Sequence, residues 1–249
     1  MTAVHELYYK PMVVTDLQGD WDGVVLVTCW TDAIDKSNEL RNHLLQVVAG
    51  QVEVDSSVTK QPSVLRLNLP SVTPKRLIYS PTGPIGRDQD DVRRFADAAN
   101  AGIQRAIKAG CKKIVLMVPD IYKEMYPSSV LVTWLGGMHA LFTPLEIRRD
   151  VPGRANKIEA LGLWSKHQSA GEDLLKLANA IELGRVAARD IGGSDPETMA
   201  PQNVWKYVEC LFPDTVTRSV ETGHDYFKTN FPLLAAVDRA ANRKRSGIA

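Results

Sequence analysis

Residues 76–118 constrain the fold more than any other stretch of the 249-residue chain. Residues 76–79 (RLIY) read as a short strand, and residues 80–86 (SPTGPIG) as a loop dictated by proline and glycine. Residues 90–109 then place Val92, Phe95, Ala96, Ala99, Ile103, Ala106 and Ile107 on one stripe, the pattern of an amphipathic helix. Asp88, Asp90 and Asp91 sit where negative charge favours the helix dipole; Lys108 lies near the other end, and Gly110 stops the helix. Residues 113–118 (KIVLMV) are an almost wholly apolar strand. Strand, loop, helix and strand in that order make a βαβ crossover, which requires a partly parallel sheet with helices on its faces.

The flanking segments extend the same architecture. Residues 23–30 (GVVLVTCW) read as a buried strand. Residues 35–48 carry Leu40, Leu44, Leu45 and Val48 at helical spacing, with Gly50 as the expected stop. Residues 63–69 alternate as a strand near a sheet edge does, and residues 158–164 (IEALGLW) close the sheet as its last strand. Residues 128–141 form a helix; Gly136-Gly137 inside it would each weaken an exposed helix by about 1 kcal/mol, so close packing is expected there. An α/β domain of roughly five strands results, assigned to residues 1–168.

A second unit, residues 169–249, begins with a long helix. Leu174, Leu177, Ala178, Ile181 and Ala188 fall near one face, and Gly192-Gly193 is expected to end it in a left-handed cap. Pro201 opens a next helix with Val204, Trp205, Val208 and Leu211 as its stripe. A strand over 215–220 and a helix over 231–242 follow, before the chain ends in RKRSGIA. So few elements do not close a substantial core, and everything after Gly193 is expected to be loosely held.

Composition narrows function mainly by exclusion. A net charge of +1 gives no whole-protein field for nucleic acid or an anionic membrane, and no apolar run approaches the length of a bilayer span. Cys29, Cys111 and Cys210 are odd in number and widely spaced, which points to reduced thiols; with no secretory pattern at the N-terminus, a cytoplasmic address is expected. His5, His43, His139, His167 and His224 show no metal-ligand spacing, and neither HExxH nor GxSxG occurs. The loop at 81–87 precedes a helix and is weighed as an anion site against a tight turn, with Asp88, Asp90 and Asp91 opposing a phosphate. Asp190-Ile191-Gly192-Gly193 has the letters of a metal-binding Asp-x-Gly-Gly but lies at a helix end and is read as helix termination. Arg239, Arg243, Lys244 and Arg245 are read as a solvated end.

Residues 134–149 (WLGGMHALFTPLEIRR), 161–164, 188–201 and 231–241 (FPLLAAVDRAA) resemble the leucyl aminopeptidase family of cytosolic dinuclear metallopeptidases, its divergent animal members in particular. In that family a helix ending Ala-Arg-Asp-Leu runs into Asn-Thr-Pro-x-Asn-x-x-Thr-Pro, which opens the catalytic domain. Here Ala188-Arg189-Asp190-Ile191 and Pro201 match, Ser194 stands for a threonine, and Gly193, Asp195, Glu197 and Ala200 depart. Alanine at 200 removes a helix cap, at a cost of about 1 kcal/mol if nothing replaces it. The resemblance implies a macro-like α/β domain with a mixed sheet, followed by the incomplete start of a catalytic domain. It also implies, for full-length members, peptide substrates, homohexamers and two divalent metals (zinc, manganese or magnesium) that activate water. The family's metal ligands come from Gly-Lys-Gly, Asp-Ser/Thr-Gly-Gly and Asn-Thr-Asp-Ala-Glu-Gly-Arg motifs, which this sequence lacks and which would fall beyond Asn242. No catalytic, cofactor or metal residue is therefore carried over, and the expectation is a truncated chain without peptidase activity of its own. The alternatives are a non-enzymatic assembly or regulatory module, and a macro-like module that binds a nucleotide.

Overall fold

The computed structural model describes residues 7–29, 39–70, 72–118, 124–211 and 219–239. Their contacts fall into two compact units: residues 8–143 with 152–182, and residues 144–151 with those from 183 onward, Leu7 included.

The larger unit is built on a six-stranded sheet. Its strands are β1 (Lys10–Val14), β2 (Gly23–Thr28), β3 (Ser63–Arg66), β4 (Arg76–Pro81), β5 (Lys113–Met117) and β6 (Ala160–Trp164). They lie in the order β1-β6-β5-β2-β4-β3, all pairs parallel except β3 against β4. The sheet is mixed and flanked by helices, as the sequence implies. Every residue of β2 is buried, which is why its first five residues, GVVLV, carry no polar side chain instead of alternating.

Helix α1 (Glu39–Val54) covers one face, bringing Leu44, Leu45 and Val48 against Val24, Leu26, Leu77, Tyr79, Val115 and Met117. The opposite face carries α2 (Arg93–Lys108), the crossover helix, which buries Phe95, Ala98, Ala99, Gly102, Ile103 and Ala106. A Cβ at Gly102 would lie 2.7 Å from Val25 Cγ1, so glycine there lets α2 settle directly onto β2. Helix α3 (Ser129–Leu141) in turn rests on α2. A Cβ at Gly136 would stand 2.3 Å from the carbonyl oxygen of Ala96, so the two helix backbones touch at this point. The Gly136-Gly137 pair thus serves the close packing expected of it.

Several expectations are corrected. The edge strand β1 is absent from the sequence reading, because KPMVV is short and its proline is tolerable only at an edge, where one side of the strand needs no donor. As a result the sheet has six strands instead of roughly five, and β6 lies inside it between β1 and β5. Helix α1 runs through Gly50 to Val54: Gly50 is exposed, with nothing near its missing Cβ, and one glycine costs too little to end a helix packed on a core. The expected start of that helix at 35–38 lies outside the described residues. A short helix, α4 (Leu145–Asp150), follows Pro144 where none was expected.

Helix α5 (Gln168–Gly193) contains both Gly192 and Gly193, and neither has a positive φ. The left-handed cap expected there is not formed; among the described residues a positive φ occurs at Gly83, Gly110 and Gly223, and Gly110 does end α2. The buried stripe of α5 is Gly171, Leu175, Ala178, Glu182, Val186 and Asp190, one position around from the expected one. Leu177 and Ile181, taken as core, are 54% and 36% exposed. Apolar spacing misled here because two of the buried positions are acids.

In the smaller unit, α4 and the end of α5 are joined by α6 (Pro201–Leu211), α7 (His224–Asn230) and α8 (Pro232–Asp238). Leu145, Met199 and Tyr207 form a small core, with Ala187, Ile191, Val204 and Leu211 packed on it. Phe227 is buried between α7 and α8, edge-on to Tyr226 and Phe231. Of the strand expected at 215–220, residues 215–218 lie outside the described residues and 219–220 are in no strand. Residues 240–242 of the last expected helix are likewise not described.

Candidate functional site

Among the described residues, three places gather polar or concave chemistry. The first is the loop between β4 and α2. Asp90, just ahead of α2, has no side-chain exposure, and its two oxygens collect donors from every side. Oδ2 accepts the backbone N–H groups of Gly86 (3.1 Å) and Arg87 (3.0 Å) and the Nε of Arg87 (3.1 Å). Oδ1 accepts Arg87 Nη2 at 2.8 Å and faces Arg94 Nε at 2.8 Å. The Arg87 guanidinium, above all, holds the Asp90 carboxyl far below the ordinary carboxylate range. Of the two readings weighed for this loop, the tight turn is what forms, with the Asp90 carboxylate taking up its donors. The backbone closes into a turn around that side chain, through Asp90 N–H to Arg87 O at 2.9 Å.

The second place is a cavity of about 180 Å³ at the carboxyl ends of β5 and β6, where ligands of open α/β sheets commonly bind. Val118, Val130, Leu131 and Leu163 form its apolar wall, and Lys166 and His167 stand at the start of α5. Its volume is below the ~300 Å³ at which ligand pockets for drug-sized molecules begin. Sequence reading missed it; the only available signal was topological, two parallel strands ending side by side.

The third is a buried polar cluster inside the smaller unit. The Arg148 guanidinium of α4 donates to Asp190 Oδ1, and the Tyr207 hydroxyl of α6 donates to Oδ2 at 2.7 Å. The side chains of Arg148 and Asp190 are 4% and 0% exposed. Around it, Glu146 Oε1 accepts the Asp195 N–H at 3.1 Å, and Asp195 Oδ1 accepts those of Glu197 and Thr198.

The other sequence candidates do not converge. His43 and His139 are exposed on α1 and α3, His167 stands at the mouth of the cavity, and His224 lies 3.6 Å from Asp238; His5 is outside the described residues. Asp190 through Gly193 form the last turn of α5, as the helix-termination reading holds. Among the described residues no group of three or more His, Cys, Asp or Glu is placed to hold a metal. The one Asp-x-Gly-Gly does not fit a metal either, since Arg148 and Tyr207 already occupy both carboxylate oxygens of Asp190. Nor, among those residues, is any helix long and apolar enough to cross a membrane.

No protein-family model matches the chain. A Caenorhabditis elegans protein named "Putative aminopeptidase W07G4.4" is 34% identical over 193 residues, which are 77% of this chain and 36% of that protein. The chain thus spans little more than a third of the length of that curated relative. Among solved structures, a tomato leucine aminopeptidase mutant superposes with a TM-score of 0.67 at 14% identity, over 96% of this chain and 49% of that one. An M17 aminopeptidase from Trypanosoma brucei gives 0.63 at 12% identity, over 98% and 48%.

Proposed function

We propose that this chain, which is kin to the N-terminal portion of leucine aminopeptidase-type proteins, is the non-catalytic region of a metallo-aminopeptidase that removes N-terminal residues from peptides. The observation that carries the reading is the agreement between two independent extents. The sequence match takes in 77% of the chain but 36% of the relative, and the fold match takes in nearly all of the chain but about half of an aminopeptidase. In this reading the two divalent metals, zinc, manganese or magnesium, belong to a part of the protein outside these 249 residues, and the polypeptide by itself does not hydrolyse peptides. The absence of the family's three ligand motifs from the sequence supports this, as does the engagement of Asp190 by Arg148 and Tyr207. The test is release of p-nitroaniline from Leu-p-nitroanilide by the pure chain, with each of the three metals supplied in turn. No release is expected, and metal-dependent turnover would overturn the reading. The working compartment in this proposal is the cytoplasm.

A second reading, as an assembly module for longer subunits, is favoured by one feature. Leu233 and Val237, a turn apart on α8, are 85% and 76% exposed, unusual for residues of that kind. Light scattering of the chain, alone and mixed with a full-length relative, separates the two readings. A mixed complex supports assembly, and monomers in both samples dispose of it.

A further inference from the structure

The β4–α2 loop carries more chemistry than a turn requires. Two backbone N–H groups and the guanidinium groups of two arginines converge on one carboxylate that solvent does not reach. A turn is closed adequately by its own backbone bond; it has no need of two cations. Paired N–H groups with planar guanidinium forks are the donor set that recognises tetrahedral oxyanions. The loop also follows the carboxyl end of β4, the side of a parallel sheet on which ligands bind. Further contacts hold the frame independently of the carboxylate. Arg94 Nη1 donates to Thr82 O at 3.4 Å, and Tyr126, packed edge-on to Phe95, donates its hydroxyl to Asp90 O at 3.5 Å.

We propose that residues 86–94 form an oxyanion-binding loop whose ligand is built in: the Asp90 side chain occupies the place of a phosphate and keeps the loop closed to free phosphate. What the sequence presents as a choice between an anion site and a tight turn is then a single device. The turn is tight because the anion is covalently part of it. Asp90 supplies one negative charge to two arginines, so its removal leaves Arg87 and Arg94, the latter still near Asp91, and two N–H donors facing one point. Inorganic phosphate is the smallest group that matches them.

The experiment compares the full chain with Asp90→Ala by titrating inorganic phosphate and following backbone amide shifts at constant ionic strength. Wild type should show no saturable response at Gly86 and Arg87. D90A should bind phosphate at least about tenfold more tightly, with the shifts centred on those two amides. The double variant R87Q/D90A should fall back to the wild-type response. A folded D90A whose Gly86 and Arg87 amides respond no more than wild type overturns the proposal, and so does a wild type that binds equally well. Should D90A fail to fold alone, its refolding yield in phosphate is compared with that in chloride of equal ionic strength. Recovery specific to phosphate supports the built-in ligand, and equal yields overturn it.

Discussion

The two units solve the problem of a core in opposite ways. The larger puts apolar strands between helices and brings backbones together at glycines: Gly102 lies over Val25 and Gly136 against Ala96. The smaller has few apolar residues to bury and centres instead on an ion pair, Arg148 with Asp190, capped by Tyr207. Burial of apolar area stabilises without direction, whereas a buried ion pair adds little net stability yet is costly to break. The larger unit should therefore respond to changes of shape, and the smaller to changes of charge.

The largest effect expected from this contrast is at Asp190. Asp190→Ala leaves the Arg148 guanidinium facing Tyr207 without the carboxylate, a loss of about 3–5 kcal/mol for a buried pair. Limited proteolysis should then cut first within residues 183–239 while the sheet stays intact. A D190A chain as protease-resistant as wild type would break the comparison, because the smaller core would then stand on Leu145, Met199 and Tyr207 alone.

Next in size is Gly136→Ala. In an open helix this change helps by about 1 kcal/mol, but here the new methyl meets the Ala96 backbone at 2.3 Å. The helices must part, and a net loss of about 1–3 kcal/mol in urea unfolding is expected. Gly137→Ala provides the control, since its nearest neighbour is a movable Leu116 methyl at 3.1 Å. Equal losses at 136 and 137 would mean that the backbone contact is unimportant.

The same contrast explains what could be read from the sequence. Strands β2, β4 and β5 and helices α2 and α3 announce themselves because they are buried by pattern, and even Gly136-Gly137 could be read as a packing signal. Strand β1 could not, since KPMVV is too short and is made a strand by its pairing with β6. The buried face of α5 was misread because Glu182 and Asp190 belong to it, and apolar periodicity is blind to buried acids. Asp190 was legible as the end of a helix and Asp90 as the start of one. Arg148, the partner of Asp190 at a distance of 42 residues, appears only when the chain has folded, whereas Arg87 and Arg94 stand three and four residues from Asp90 and differ only in needing the turn to bring them together.

A smaller effect belongs to Tyr207→Phe, which keeps the ring in the core and removes one donor from Asp190. About 1–3 kcal/mol is the usual cost of a hydrogen bond to a charged group, less than for losing the carboxylate itself. Hydrogen exchange would sharpen the picture: amides of residues 201–211 should exchange faster in Y207F, while those of 113–117 should not change. Slow exchange after Gly193, matching that of β5 in wild type, would refute the loose hold expected of that segment.

The smallest effect tests the rim of the larger unit by pH. Asp90 is held below its ordinary range, first by its bond to the Arg87 guanidinium, so the folded chain gives up this carboxylate charge at lower pH than the unfolded chain does. The contribution to stability is therefore fully present above the unfolded value, at about pH 4, and is lost as the pH falls through the depressed folded value. Because Arg87 is half exposed, salt should weaken it as well. The urea midpoints of wild type and Asp90→Asn should differ by a constant amount from neutral pH down to about 5, and converge below about 4. A gap that persists into strong acid would show that Asp90 acts by shape. It would then belong with Gly136, and the division between a shape-governed sheet and a charge-governed cluster would hold without exception at the rim.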